Sequence, residues 1–296
     1  MTTAGAEARA CESAKVEEIR TAAVIGLGMM GGSLARDLAA RGVRVLGWDR
    51  DGEAVRAAIR DGAVAAALAP GFAAAAEVDL VAIAVPVLAA PALLAEMAPH
   101  LSSVPLVTDL GSTKRTVVEA AERAGIGARF VGAHPLAGKH LSGWEASEGE
   151  IFRDAAVYLC ATGETGEEAK ALAHRLWTSL GARPVEIDAE EHDERLAWSS
   201  HLPQALSTAL ARALAGRGVR HGELGPGGQG MARLAGSSPE MWTDVALDNA
   251  PALFDALFAL EEEIADFRLA VAARDVESVR RFFRGGRQWW DAAGEG

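Results

Sequence analysis

Cysteine is nearly absent. Cys11 and Cys160 are the only two in 296 residues, too few for a disulfide framework and without a metal-ligand spacing, so they read as reduced thiols of a cytoplasmic protein. Basic charge is also short: 29 Lys and Arg against 41 Asp and Glu leave a formal net charge of -12, which argues against general nucleic-acid or anionic-membrane binding. No apolar run is long enough to span a bilayer. The strongest, Leu80 to Ala95, is interrupted by Pro86 and Pro91 and reads as a buried strand followed by a helix. The opening MTTAGAEARACESAKVEEIR has charges throughout and no apolar core, so it is no secretory signal and residues 1–20 read as a flexible tail. Neither an internal repeat nor a Cys/His/carboxylate cluster suggesting a metal is present.

What is present is a globular composition, 50% hydrophobic and 24% charged, with length enough for two domains. From Thr21 onward short apolar runs alternate with Ala-rich amphipathic ones, the pattern of a parallel sheet covered by helices on both faces. Strands are predicted at about 21–25, 43–48, 80–85, 105–108, 129–132 and 155–162, with a helix over 167–180 and a last short strand near RPVEI. After Asp188 strand signals stop and helices continue to the end, with Gly-rich breaks over 216–230. The fold class is therefore α/β: a Rossmann-type, doubly wound parallel sheet domain over 21–187, then an all-helical domain over 188–296. The closing RRFFRGGRQWW, with Arg280, Arg281, Arg284 and Arg287 among aromatics, reads as the solvated face of a last helix.

The first predicted strand runs into Gly26-x-Gly28-x-x-Gly31, and a helix follows. Gly26 permits a tight turn, Gly28 lets backbone approach a pyrophosphate, Gly31 allows close helix packing, and the helix N-terminus adds partial positive charge. Asp49 ends the second strand at the distance expected of a carboxylate that accepts from ribose hydroxyls and repels a 2′-phosphate, favouring NAD over NADP. Arg50 pulls the other way, since a guanidinium there can stack on adenine or pair with a phosphate. Leu27 and Met30 in the turn, with Val85 at the end of the third predicted strand, complete the expected cofactor contacts. A glycine-rich turn without a ligand is the plain alternative.

Two further stretches lie at predicted strand ends, where ligands gather in this architecture. In VTDLGSTKR, Ser112 is placed to cap a helix; in RFVGAHPLAGKHLSGW, His134 follows strand 129–132, with Pro135 behind it. Either alone has a structural explanation. The runs DLGSTK, GAHPLAG with SGWEAS, HDERLAWSSHLP and ARLAGSSPEMW together resemble, in order, the prephenate and arogenate dehydrogenases of tyrosine biosynthesis, over about residues 21 to 270.

That resemblance implies oxidative decarboxylation of a cyclohexadienol, with hydride passed to NAD and the ring becoming aromatic. It makes His134 the base that draws off the ring hydroxyl's proton, a task suited to imidazole near neutral pH, and Ser112 a second hydrogen-bonding partner of the same centre. Arg233 matches the arginine that receives the ring carboxylate and Trp242 a pocket tryptophan, for which core packing is the alternative. On a straight helix His192, Ser200 and Gln204 share one broad face and His201 lies opposite, so the first three are expected to line the pocket and His201 to rank below them, or to face a partner chain; Pro203 could kink this helix. Gln204 stands where many prephenate-using members have a second histidine, leaving open prephenate, arogenate or an amino-substituted prephenate. Upstream of Arg233, GPGGQGMAR lacks the family's usual aromatic, charged and Thr residues. The chain's end near 296 leaves no expected regulatory module. A small-molecule substrate and a homodimer through the helical domain are the expected partners, with no nucleic acid and no membrane.

Two rivals stand beside this reading. A β-hydroxyacid dehydrogenase would need a lysine early in the long helix, and DAEEHDERLAWSSHLP has none. A non-catalytic NAD-sensing module would bind cofactor without turnover. His100, His140, His174 and His221 read as surface or packing residues, with His140 near enough in sequence to His134 to serve as a control.

Overall fold

The computed structural model describes residues 19–138 and 142–292; His140, Cys11 and most of the predicted N-terminal tail lie outside them. Ile19 and Arg20 belong to the fold and not to a tail. Ile19 is buried, and the Arg20 amide donates to Asp79 at 2.9 Å.

Among the described residues eight strands form one sheet in the order β3-β2-β1-β4-β5-β6-β7-β8. They are β1 (Thr21–Ile25), β2 (Arg44–Trp48), β3 (Ala66–Ala67), β4 (Leu80–Ile83), β5 (Leu106–Asp109), β6 (Phe130–Pro135), β7 (Ala156–Ala161) and β8 (Arg183–Glu186). Helices α1 (Met29–Ala40), α2 (Gly52–Arg60), α3 (Ala90–Met97), α4 (Arg115–Arg123) and α5 (Glu167–Ser179) cover it, and two apolar clusters form the core, one on each face. β4, all four of whose residues are buried, has the sheet's continuous hydrophobic run.

The sheet departs from the expected all-parallel arrangement at one pairing. β6 and β7 run antiparallel, while the other pairings are parallel. A parallel return needs a crossover of a dozen or more residues, usually a helix, and the described part of the β6–β7 connection has only the short 3-10 turn Trp144–Ala146. β3 escaped prediction because two residues give no period to read.

The second domain begins at α6 (Ala189–Leu196), capped by Asp188, whose carboxylate accepts from the amides of Glu190 and Glu191. A π turn (Ala197–His201) joins it to α7 (Leu202–Gly216). Then come α8 (Pro226–Ala232), a 3-10 turn (Arg233–Gly236), α9 (Pro239–Asp248), α10 (Ala250–Ala273) and α11 (Val276–Ala292). No described helix is long and apolar enough to cross a membrane.

Candidate active site

The strand order reverses between β1 and β4, and the glycine turn sits at their carboxyl ends. Gly26 adopts φ +94, and a Cβ there would lie 2.4 Å from the Ala84 carbonyl oxygen; a Cβ on Gly31 would lie 1.9 Å from the Gly26 oxygen. Both positions are closed to any other residue by packing. Around Gly28 a Cβ would meet nothing within 4 Å, so this glycine is not required by the protein's own contacts and leaves open space at the mouth of α1. Asp49 holds the turn: its carboxylate accepts from the Leu27 amide at 2.7 Å and from the Asp51 amide at 2.8 Å, with oxygen lone pairs left for ribose hydroxyls. Leu27 is buried; Met30 and Val85 are half-buried at the rim and Arg50 is exposed. Open space above Gly28, the uncapped amides of α1 and a fixed carboxylate at the end of β2 fit a dinucleotide.

His134 lies within β6, not behind it. The pairing of β5 with β6 stops at Asp109 opposite Gly132, so the last residues of β6 overhang the end of β5 and stay paired with β7, His134 opposite Tyr158. The antiparallel β7 thus carries the imidazole past the sheet's edge toward the crevice. His134 Nδ1 lies 2.9 Å from His192 Nε2, and His192 Nδ1 lies 2.8 Å from Asp193 Oδ1.

Asp193 was given no role by the sequence, yet it joins the two domains. Its oxygens accept from the amides of Lys114 at 2.8 Å and Arg115 at 2.9 Å, so it caps α4 from the other domain. Ser112 does not cap that helix; it sits half-buried on the preceding loop. Thr113 adds a second tie, donating to Asp248 at 2.6 Å. Asn249 Nδ2 then donates to the Asp193 carbonyl at 2.7 Å and lies 3.1 Å from His201 Nδ1.

Lys114 is fully buried and pairs with Asp109, whose carboxyl is lifted above its ordinary value by burial against the pull of that ammonium. The same ammonium acts on the histidines. Burial, then His192, then Lys114 hold His134 well below the usual imidazole range, and burial holds His192 down against the opposing pull of Asp193. Both rings are therefore neutral at pH 7.

The straight-helix geometry fails at the π turn. One extra residue there removes about 100° of phase from everything beyond, bringing Gln204 to within about 20° and His201 to about 80° of His192. Pro203, which lacks an N–H, follows directly. His201 accordingly faces neither solvent nor a partner: it is 2% exposed, its pKa is pushed down to about 4 by burial, and it packs edge-on against Trp242. His201, Gln204 and Trp242, with Thr208, Arg212 and Leu253, line a cavity of about 510 Å3. His192 does not line it; both its ring nitrogens are engaged behind His134. Ser200 is half-buried within the π turn.

Gln204 donates its Nε2 to the Leu234 carbonyl at 2.8 Å. Its Oε1 and the Trp242 Nε1 are buried without a partner among the described residues, one acceptor and one donor, as a cavity for a polar ligand requires. Arg233, beside Leu234, is exposed, and its guanidinium has no ion-pair partner among the described residues. Among those residues no hydrogen bond joins Ser112 or Arg233 to His134. The sequence reading missed Lys114, which lies within DLGSTK, and Asp193, which is the neighbour of His192. A lysine close behind an aspartate at the end of a buried strand was the signal that could have found the first.

A doubly wound sheet with a dinucleotide cradle and a neutral histidine at the carboxyl edge defines a nucleotide-dependent oxidoreductase with a helical second domain. Residues 34–186 match the family model "Prephenate dehydrogenase, nucleotide-binding domain" and residues 188–285 "Prephenate dehydrogenase, dimerization domain". The prephenate dehydrogenase of Bacillus subtilis (strain 168) is 31% identical over 92% of this chain and 75% of its own length. The cyclohexadienyl dehydrogenase of Zymomonas mobilis is 32% identical over 88% of this chain and 92% of its own. The crystal structure of prephenate dehydrogenase from A. aeolicus with hydroxyphenyl propionate and NAD+ superposes with a TM-score of 0.82 at 27% identity, covering 93% of this chain and 98% of that one. The chain belongs to the prephenate dehydrogenase family.

Proposed function

We propose that this protein oxidatively decarboxylates prephenate to 4-hydroxyphenylpyruvate using NAD, as a cytoplasmic homodimer of tyrosine biosynthesis. The observation that supports it best is the imidazole of His134 at the overhanging end of β6, its Nδ1 engaged by His192 at 2.9 Å and its Nε2 without a hydrogen-bond partner among the described residues, suited to a substrate hydroxyl. Gly28, Met30 and Val85 would hold NAD, which would serve as the hydride acceptor. Asp49 selects it by accepting from the ribose and repelling a 2′-phosphate. His134 takes the ring hydroxyl's proton, Ser112 orients that hydroxyl, and Arg233 binds the ring carboxylate through its planar fork. Gln204, His201 and Trp242 meet the side chain. The free acceptor Oε1 of Gln204 also suits an ammonium group, which keeps arogenate as the second reading.

Initial rates of NADH formation at 340 nm with prephenate and with arogenate, each with NAD and NADP, test this. Cofactor binding without turnover of either acid would leave the sensor reading in its place. Arg233→Gln is expected to raise KM for the acid by about tenfold to a hundredfold, the scale of losing a charge-assisted hydrogen bond, with a smaller effect on kcat; an unchanged KM would remove the carboxylate contact.

The homodimer rests on the second domain's surface. Phe254 (67% exposed), Leu269 (60%), Phe283 (63%), Trp289 (73%) and Trp290 (69%) lie on α10 and α11, far more apolar area than a monomer normally shows. Light scattering at micromolar concentration should give twice the 30.8 kDa chain mass; a monomeric mass would contradict it.

A further inference from the structure

Burial and the Lys114 ammonium both weaken His134 as a base, yet the proposed reaction requires it to accept a proton. Behind it the structure offers somewhere for the resulting charge to go. We propose that His192 and Asp193 are positioning residues that fix the tautomer of His134 and take over the positive charge created when it accepts the substrate's proton. This inference rests on His134 being the base of the proposed reaction.

Donors and acceptors along the chain fix the hydrogens. Asp193 is held as an anion: His192 and the amides of Arg115 and Lys114 keep its carboxyl below the usual range against its burial. A carboxylate only accepts, so the His192 Nδ1 facing Oδ1 at 2.8 Å carries a hydrogen. His192 is neutral, so its Nε2 is bare and must accept across the 2.9 Å contact from His134 Nδ1. Neutral His134 then has a bare Nε2, and that is the only one of its nitrogens left for a substrate. One aspartate two side chains away sets which nitrogen of the base is free.

The same chain balances the chemistry. The substrate's O–H bond breaks and a bond to His134 Nε2 forms. His134 Nδ1–H breaks and its proton joins His192 Nε2. His134 ends neutral and His192 ends as imidazolium directly on the Asp193 carboxylate, so the charge sits in an ion pair and not on the ring beside the substrate. When product leaves, the two transfers reverse and water takes the proton from His134 Nε2. The charged or titratable groups facing the pair are Lys114, Asp109, Asp193, His201 and Tyr158. Asp193, at the far end, is the anion hydrogen-bonded to the pair.

Two measurements decide it. Long-range 1H–15N correlation of the imidazoles, on the wild-type protein without substrate near pH 7.5, should show hydrogen on Nδ1 of both His134 and His192. On acidification the two rings should shift together, as one shared proton requires. Hydrogen on His134 Nε2, or two independent titrations, would overturn the proposal whatever the enzyme turns over. In His192→Phe, His134 should revert to a mixture of tautomers, and kcat for the preferred acid should fall at least tenfold with KM within about threefold. A wild-type tautomer pattern or an unchanged kcat in this variant would overturn it too. If instead the wild-type tautomers are as expected and neither acid is turned over, the proposed reaction fails and the hydrogen-bonded chain stands.

Discussion

Replacing His134 with Asn is expected to lower kcat by about 10² to 10⁴, the range found when a general acid–base group is removed, equivalent to roughly 3 to 5 kcal/mol of barrier. Asparagine fits the half-buried overhang and keeps a hydrogen-bonding side chain, but its amide cannot take up the hydroxyl's proton. KM should change little, because the proposed reaction assigns the grip on the acid's carboxylates to Arg233 and the α7 cavity, not to His134. Folding should also change little, since His134 lies beyond the end of the β5–β6 pairing and its side-chain hydrogen bond among the described residues is to His192. The comparison is of initial rates at saturating substrate, with circular dichroism melts of both proteins alongside. A variant with near-normal kcat would show that some other group accepts the proton.

Asp109→Asn should be the most damaging single change to stability. Lys114 is fully buried, and among the described residues its ammonium forms an ion pair with Asp109 and with no other carboxylate. Removing that charge strands a cation in the interior, at a cost of about 3–5 kcal/mol. For a protein of this size that lowers the melting temperature by roughly 10 °C. The charge, not the shape, is what matters, so Asp109→Asn with Lys114→Met should recover much of the loss, because an apolar pair of similar volume can replace a buried ion pair at little cost. A melting temperature in the single variant within about 2 °C of wild type, read by calorimetry, would contradict this account. Both proteins should lose activity, because Lys114 also acts on His134 and His192 and its amide binds Asp193.

The cofactor cradle was legible because it is local. Gly26, Gly28, Gly31 and Asp49 lie within one strand-helix-strand unit, and the turn they form is dictated by which positions admit a Cβ and which backbone amides need an acceptor. The helical character of the second domain was legible too, because strand signals stop after Asp188. The straight-helix phasing of His192, Ser200, Gln204 and His201 was not reliable, because a single π turn before Pro203 rotates every residue beyond it and buries a histidine expected on the far side. The antiparallel turn of β7 was missed for a related reason: direction is set by how the chain returns, and a strand's own residues do not record it.

By itself, then, the sequence determined the nucleotide-binding unit, the two-domain order and the family, each written in neighbouring residues or in short motifs kept in order. Only the tertiary structure decided what stands behind His134. Asp193 reaches α4 across 79 residues of chain and His192 meets His134 across 58, whereas the Lys114–Asp109 pair, five residues apart, is local. Hydrogen bonds act over about 3 Å and carry no mark in the sequence of which distant residue will supply the other half.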